Sequence, residues 1–113
     1  MKIPSDAFIP MEKLTKYLLV PREYDDKSKF LSLAGFALKK PEVLMETIRE
    51  FIETHEAVED GENDYGEFYR ADGLLAGPNG RELSVVTIWL RWKSDDKFHF
   101  VTLKPFRGDR RET

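Results

Sequence analysis

The stretch Arg81-Glu82-Leu83-Ser84-Val85-Val86-Thr87-Ile88-Trp89-Leu90-Arg91-Trp92 decides the fold, because it is the longest run rich in β-branched and aromatic residues. Its even positions from 86 to 92 are all apolar, whereas its odd positions from 85 to 91 mix Val, Thr, Trp and Arg. A period of two is typical of a strand with one face on a core and one face in wetter surroundings. The pattern predicts that the even positions face the core.

Further strands lie on both sides of this central one. Gly77-Pro78-Asn79-Gly80 is a strong hairpin signal, because Pro fixes φ at the second turn position and Gly80 can adopt the left-handed conformation. Residues 65–76 before the hairpin form a long predicted strand. Residues 93–97 are polar and predict a turn, and Phe98 to Lys104 predicts a last strand. The result is an antiparallel meander of three strands, or four with a short one near residues 57–58.

Helical patterns precede the strands. The clearest runs from Pro41 to about His55, with an apolar stripe made of Leu44, Ile48, Phe51 and Ile52. Two shorter helices are predicted at residues 11–19 and from an Asp cap at 25 or 26 to residue 34, with Gly35 ending the latter. Helices followed by a meander predict an α+β fold, in which N-terminal helices pack on one face of a C-terminal antiparallel sheet. The helix stripe should then be buried together with Val86, Ile88 and Leu90.

Size and composition limit the class of protein. With 113 residues, positions 1–113 form a single domain, with an ordered core at about 10–105 and a flexible charged tail at 107–113. The chain has no cysteine, and no segment approaches the roughly 20 apolar residues that span a bilayer. We therefore expect a cytoplasmic protein with no membrane segment and no cofactor. The net charge of −3 argues against broad nucleic-acid binding.

Six short motifs follow one another along the chain: Lys13-Leu14-Thr15-Lys16-Tyr17-Leu18-Leu19, Lys27-Ser28-Lys29-Phe30-Leu31, Asp64-Tyr65-Gly66, Gly77-Pro78-Asn79-Gly80-Arg81, Thr87-Ile88-Trp89 and Val101-Thr102. In this order they resemble a family of small bacterial domains of unknown function, over about residues 10–105. Relatives also occur as modules in toxin-like and phage-related proteins. The order of elements is more distantly similar to the ribonuclease fold group of barnase, colicin-type tRNA nucleases and RelE-like toxins.

This chain departs from the family pattern at one point. Relatives commonly carry a His shortly before the Lys that aligns with Lys27, and here that segment is Glu23-Tyr24-Asp25-Asp26. The resemblance therefore implies that any chemistry carried by that His has been lost.

The outer face of the sheet is the candidate site. Exposed aromatic rings beside cations and hydroxyls can stack a base and hold a phosphate. The candidate binding residues are Thr87, Trp89, Phe100 and Lys104. The candidate catalytic residues are Lys27, Arg91 and Thr102, which could position a phosphate and stabilise its developing charge. The alternatives are an ordinary half-exposed sheet face or a dimer surface, and a one-residue slip in the turn at 93–97 would move Phe100 and Thr102 to the core face.

Three other features are weaker candidates. His55 ends a helix, where a cation favourably meets the dipole, so a structural role is expected. His99 would need an orienting partner to act as an acid or base, and the sequence does not fix its face. Residues 60–64 are acidic but lack EF-hand spacing, so no metal site is expected.

The sequence favours a protein-interaction module or a degenerate toxin-like domain, with a second copy or a small protein as partner. The alternative is an RNA-cleaving, toxin-type nuclease that uses the exposed sheet face. The acidic balance and the missing His weigh against RNA as the partner. Whether the chain is an enzyme is left open.

Overall fold

Three helical segments and a sheet make up the described part of the fold. The computed structural model of the chain describes residues 1–23 and 26–106. Helix α1 spans Met11–Lys13 and continues as a π-helical turn at Leu14–Leu18; α2 spans Ser28–Ser32 and α3 spans Pro41–Thr54. The strands are β1 (Val58–Glu62), β2 (Gly66–Ala76), β3 (Glu82–Trp92) and β4 (Phe98–Pro105), paired antiparallel in the order β1-β2-β3-β4. The predicted α+β fold is confirmed.

Helix α3 forms where the sequence predicts it. Pro41 occupies the first turn, where its missing N–H costs no hydrogen bond, and Glu42 favours the positive end of the helix dipole. The helix ends at His55, whose Nδ1 lies 2.9 Å from the carbonyl oxygen of Phe51 and whose ring stacks on the Phe51 ring at 4.0 Å. The apolar stripe of α3 is buried as predicted: Leu44, Ile48, Phe51 and Ile52.

The two faces of β3 are the reverse of the prediction. The odd positions Leu83, Val85, Thr87 and Trp89 are buried on the face that packs with the α3 stripe. Val86 and Leu90 are also buried, but they lie outside that cluster, and Ile88 is only half-buried. The prediction that Val86, Ile88 and Leu90 form one core with α3 is therefore wrong.

Internal hydrogen bonds explain this reversal. The Thr87 hydroxyl donates to the Ala71 carbonyl oxygen at 3.0 Å and accepts from the indole N–H of Trp89 at 2.9 Å. Both polar groups are satisfied inside the protein, so burying them has little electrostatic cost. The large apolar surface of Trp89 can then be removed from water, and its ring meets Phe100 at 5.2 Å. Counting apolar positions misses this, because it scores Thr and Trp as partly polar.

A β-bulge divides β4. Trp89 pairs with Phe100 and Ile88 pairs with Thr102, so Val101 is an extra residue in β4. Phe100 therefore lies in the core, while Thr102 is half-buried on the other side. Phe100 lies on the core face together with its partner Trp89, so its burial follows from the reversed faces of β3 and not from a slip in the turn at 93–97. The register shift lies at Val101 instead, and it keeps Thr102 out of the core.

The N-terminal segment extends the fold beyond the expected boundary near residue 10. The Phe8 N–H donates to the Phe98 carbonyl oxygen and the Phe8 carbonyl accepts from the Phe100 N–H, both at 2.8 Å. Ile3, Ala7 and Ile9 are buried in the main core. The predicted flexible tail at 107–113 lies outside the described residues.

The β2–β3 hairpin turn packs on the end of α2. Gly80 adopts φ +92°, as the turn signal predicts, and the side-chain amide of Asn79 donates to the Leu33 carbonyl oxygen at 3.1 Å. A Cβ added at Gly77 would lie 2.1 Å from the Ala34 carbonyl oxygen, so only glycine allows this approach. Within the described residues, no helix is long and apolar enough to cross a membrane.

Candidate functional site

The four residues predicted to form an exposed binding face do not share one surface. Thr87 and Trp89 have 0% of their surface exposed and Phe100 has 2%. The side chains of these three residues are enclosed in the core, so their predicted exposure is wrong. Lys104 is exposed, and it pairs with Val86 on the face of the sheet turned away from α3.

Arg91 belongs to an ion-pair network at one end of the sheet. Its Nη2 and Nε lie 2.7 and 2.8 Å from Asp96 Oδ1, and its Nη1 lies 3.6 Å from Glu67 Oε1. The hydrogen bond that Arg91 donates to Asp96 is the main cause that raises the pKa of Arg91 above its ordinary value. Two carboxylates thus offset its charge, and it does not line the pocket that Lys27 and Thr102 share. The predicted grouping of Arg91 with them is wrong.

Lys27 and Thr102 do line one pocket, of about 330 Å³. We call it the cationic pocket, because three of the seven described residues that line it are Lys or Arg and none of those seven is Asp, Glu or His. It lies between the first helical segment, the chain that leads into α2, and the bulged part of β4. Its lining residues are Lys13, Tyr17, Leu18, Arg22, Lys27, Val101 and Thr102.

The first helical segment supplies one wall of the cationic pocket. Lys13 and Tyr17 are four residues apart and so lie on one face of the helix. Leu14 and Leu18 are buried and hold the segment against the core. The Leu19 N–H donates to the Leu14 carbonyl oxygen at 2.9 Å, five residues back, which is the wider π-helical spacing. Such turns occur frequently at functional sites.

Arg22 and Lys27 come from the chain between the first segment and α2. The Arg22 guanidinium carbon lies 5.1 Å from the centre of the Tyr17 ring, a cation–π contact that orients Arg22. Next to Lys27, Asp26 accepts from the Ser28 hydroxyl at 2.6 Å and from the Ser28 N–H at 2.8 Å. These two bonds are the main causes that lower the pKa of Asp26. The Asp26 carboxylate is therefore engaged at the start of α2.

A second cavity of about 430 Å³ adjoins the cationic pocket. We call it the aromatic groove. The two cavities share Lys13 and the bulge residue Val101, so they meet along the edge of β4. The aromatic groove is lined by Phe8, Pro10, Lys13, Leu90, Trp92, His99, Phe100 and Val101.

His99 is fixed in the wall of the aromatic groove. Its Nε2 lies 2.9 Å from Asp95 Oδ2, and its ring stacks on Trp92 with 4.3 Å between ring centres and 18° between planes. The pKa of Asp95 is lowered first by the backbone N–H of Lys97 and second by His99. The sequence does not determine which face of β4 carries His99. In the structure His99 faces this groove, and Asp95 provides the carboxylate that orients it.

Sequence reasoning missed Lys13, Tyr17 and Arg22 as site residues. Lys13 and Tyr17 stand in one of the motifs quoted above, and their helical spacing was a usable signal. Nothing local marks Arg22, because its role depends on the chain turning back after Pro21 to meet Tyr17 and β4. That these three residues belong to one site is therefore seen in the tertiary structure and not in the sequence.

Comparison with known proteins gives a family and no activity. Among the residues that the structure describes, no group of His, Asp or Glu side chains could hold a metal ion. No curated protein and no solved structure matches the chain. A model of the family described as a domain of unknown function, DUF6883, matches residues 3–107. Since this match covers more than nine-tenths of the chain, the protein belongs to that family.

Proposed function

We propose that this domain is a non-catalytic binding module, a degenerate form of a toxin-like domain, whose cationic pocket holds a phosphate group of its ligand. The observation that carries the proposal is the convergence of Lys13, Arg22 and Lys27 on one pocket with the Thr102 hydroxyl. Two separate parts of the chain supply these cations, α1 and the connection between the first helical segment and α2, and β4 supplies Thr102. Their meeting is therefore a property of the fold and not of a local basic run.

The chemistry of the lining suits phosphate. Guanidinium and ammonium groups donate charge-assisted hydrogen bonds to phosphate oxygens, and a hydroxyl can donate one more. The chain as a whole has a net charge of −3, so a pocket with three cations is a local exception.

Cleavage of RNA receives less support than binding. Transfer of a proton requires an acid or base within reach of the reacting phosphate. Among the residues that the structure describes, none that lines the cationic pocket is a His or a carboxylate, and Arg91 is engaged elsewhere by Asp96. We therefore expect purified protein to leave tRNA and mRNA intact on gel analysis. Specific cleavage that Lys27→Ala abolishes would contradict a binding role and favour the nuclease.

Titration with pyrophosphate, followed by amide chemical shifts in NMR, tests the proposal. We expect saturable shifts at the residues lining the cationic pocket. Lys13→Gln should weaken binding by about tenfold, since a hydrogen bond to a charged group contributes roughly 1.5–3 kcal/mol. Lys16→Gln is the matched control, because Lys16 has the same charge on the same helical segment but lies outside the pocket lining. Equal affinity of the two variants would refute the proposal.

A second candidate function is protein binding through the outer face of the sheet, the face turned away from α3. Leu74 and Trp92 lie on this face, both exposed, and β1 adds the exposed Val58. A second copy or a small protein could cover this surface. Sedimentation velocity that shows a dimer, lost in Leu74→Lys, would favour this function; a monomer at all concentrations would exclude the second copy as occupant.

A further inference from the structure

The aromatic groove exposes ring surface that the fold does not bury. Phe8 is 52% exposed and Trp92 is 41% exposed. The Phe8 ring meets His99 edge-on at 5.5 Å, and Trp92 and His99 are nearly parallel at 4.3 Å. Flat aromatic side chains grouped in this way bind other flat rings by stacking.

The walls of the groove are fixed before any ligand arrives. Backbone hydrogen bonds on both sides of Phe8, to Phe98 and Phe100, hold that residue against β4. Asp95 fixes the imidazole of His99 at 2.9 Å. A pre-formed site loses little conformational entropy when a ring enters it, so more of the contact energy appears as affinity.

Charge complementarity indicates what kind of ring would enter. Lys13 lines both the aromatic groove and the cationic pocket, so one ligand can place a ring in the groove and an anion beside Lys13, Arg22 and Lys27. At about 430 and 330 Å³, each cavity falls in the size range of small-molecule sites, roughly 300–1,000 Å³. A nucleotide has this arrangement: a flat base joined through a sugar to a phosphate.

We infer that the aromatic groove is a nucleobase site, and that the ligand of this domain is a nucleotide whose base stacks against Phe8 and Trp92 while its phosphate lies in the cationic pocket. This inference rests on the proposed function, because it takes the cationic pocket as the phosphate site. The nucleotide can be free or part of a single strand, and both present the same base and phosphate.

Binding of four probes separates these chemistries: hexauridylate, a hexamer of the same backbone without bases, uridine monophosphate, and pyrophosphate. Hexauridylate should bind at least about tenfold more tightly than the abasic hexamer, because a base that stacks on an aromatic side chain adds affinity. Uridine monophosphate as tight as hexauridylate identifies a free nucleotide as the ligand, and a preference for hexauridylate identifies a strand. Either result supports the nucleobase site, provided that the bases add affinity.

Variants of Phe8 test where the base binds. Phe8→Ala should lower the affinity for hexauridylate to that of the abasic hexamer, whereas Phe8→Tyr keeps the ring and should bind like wild type. Tyr65→Ala removes an exposed ring outside the groove and is the matched control. If Phe8→Ala does not fold, Trp fluorescence tests the same point. Hexauridylate should quench the fluorescence of the wild type. Trp92→Phe keeps only the buried Trp89 and should not be quenched.

The outcomes distinguish the two proposals. If the abasic hexamer and pyrophosphate bind while the bases add less than about twofold, the nucleobase site is wrong and the phosphate pocket stands. If no probe binds, the phosphate pocket is wrong and the nucleobase site falls with it. If hexauridylate binds tightly to Phe8→Ala, or without quenching Trp92, the base lies elsewhere and the inference is overturned.

Discussion

At the scale of single residues, Thr87 connects two strands inside the core. Its hydroxyl accepts from the Trp89 indole and donates to the carbonyl oxygen of Ala71 on β2. Thr87→Val keeps the shape but removes the acceptor, which leaves the Trp89 N–H buried without a partner. We expect a loss of about 1–3 kcal/mol in the free energy of unfolding, measured with urea. Thr102→Val, at a half-buried site in the same sheet, should change it by less than about 0.5 kcal/mol.

Gly73 gives a second residue-scale prediction. A Cβ at this position would lie 2.3 Å from Cδ2 of His55, whose ring stacks on Phe51 at the end of α3. Gly73→Ala should therefore cost about 1–3 kcal/mol through overpacking. In a His55→Ala background the obstructing ring is gone, so the same substitution should cost less, although the strain that φ +159° imposes on a side chain at this position remains. A double-mutant cycle with no coupling between the two sites would show that the close approach is unimportant.

At the scale of elements, the apolar stripe of α3 and the apolar odd positions of β3 belong to one buried cluster. Ile48 on α3 is fully buried in the core, whereas Ile88 on β3 is half-buried on the opposite face of the sheet. We expect Ile48→Ala to cost about 2–5 kcal/mol and Ile88→Ala about 1 kcal/mol in chemical denaturation. Equal losses for the two variants would mean that the odd positions of β3 do not face α3.

The same elements show how far sequence reasoning reaches. Element order, the limits of α3 and the Gly77–Gly80 turn follow from local signals, because capping, helical period and turn chemistry act within a few residues. The facing of β3 does not, since both of its faces are apolar and the decision depends on the hydrogen bond between Thr87 and Trp89. The candidate site could likewise be predicted only in part. Lys27 and Thr102 line one pocket, but Arg91 pairs with Asp96 instead, and no local sequence pattern indicates that ion pair.

At the scale of the whole molecule, two engaged carboxylates affect stability at low pH. Hydrogen bonds lower the pKa of Asp26 and of Asp95 below their ordinary value of 3.8. A lowered folded-state pKa means that the stabilisation is present above the unfolded value and is lost as the pH falls through the folded value. Urea midpoints should therefore fall below about pH 3.8.

The variant that tests this is Asp95→Asn, which should show a smaller fall between about pH 5 and pH 2. Asp64→Asn, at an exposed position in the connection between β1 and β2, serves as the control. If Asp95→Asn and wild type lose stability in parallel over that range, the contacts of Asp95 with Lys97 and His99 do not contribute to acid sensitivity.

The bulge at Val101 gives β4 two phases. Before it, even-numbered side chains such as Phe98 and Phe100 enter the core; after it, the odd-numbered Leu103 does. The extra residue thus changes whether even- or odd-numbered side chains of β4 face the core. Without Val101 the strand would pair regularly, and only one of its two halves could keep its apolar side chains on the core face. Either Phe98 and Phe100 would turn to water, or Leu103 would. Shortening the strand by one residue should therefore harm the protein more than replacing any single side chain along it.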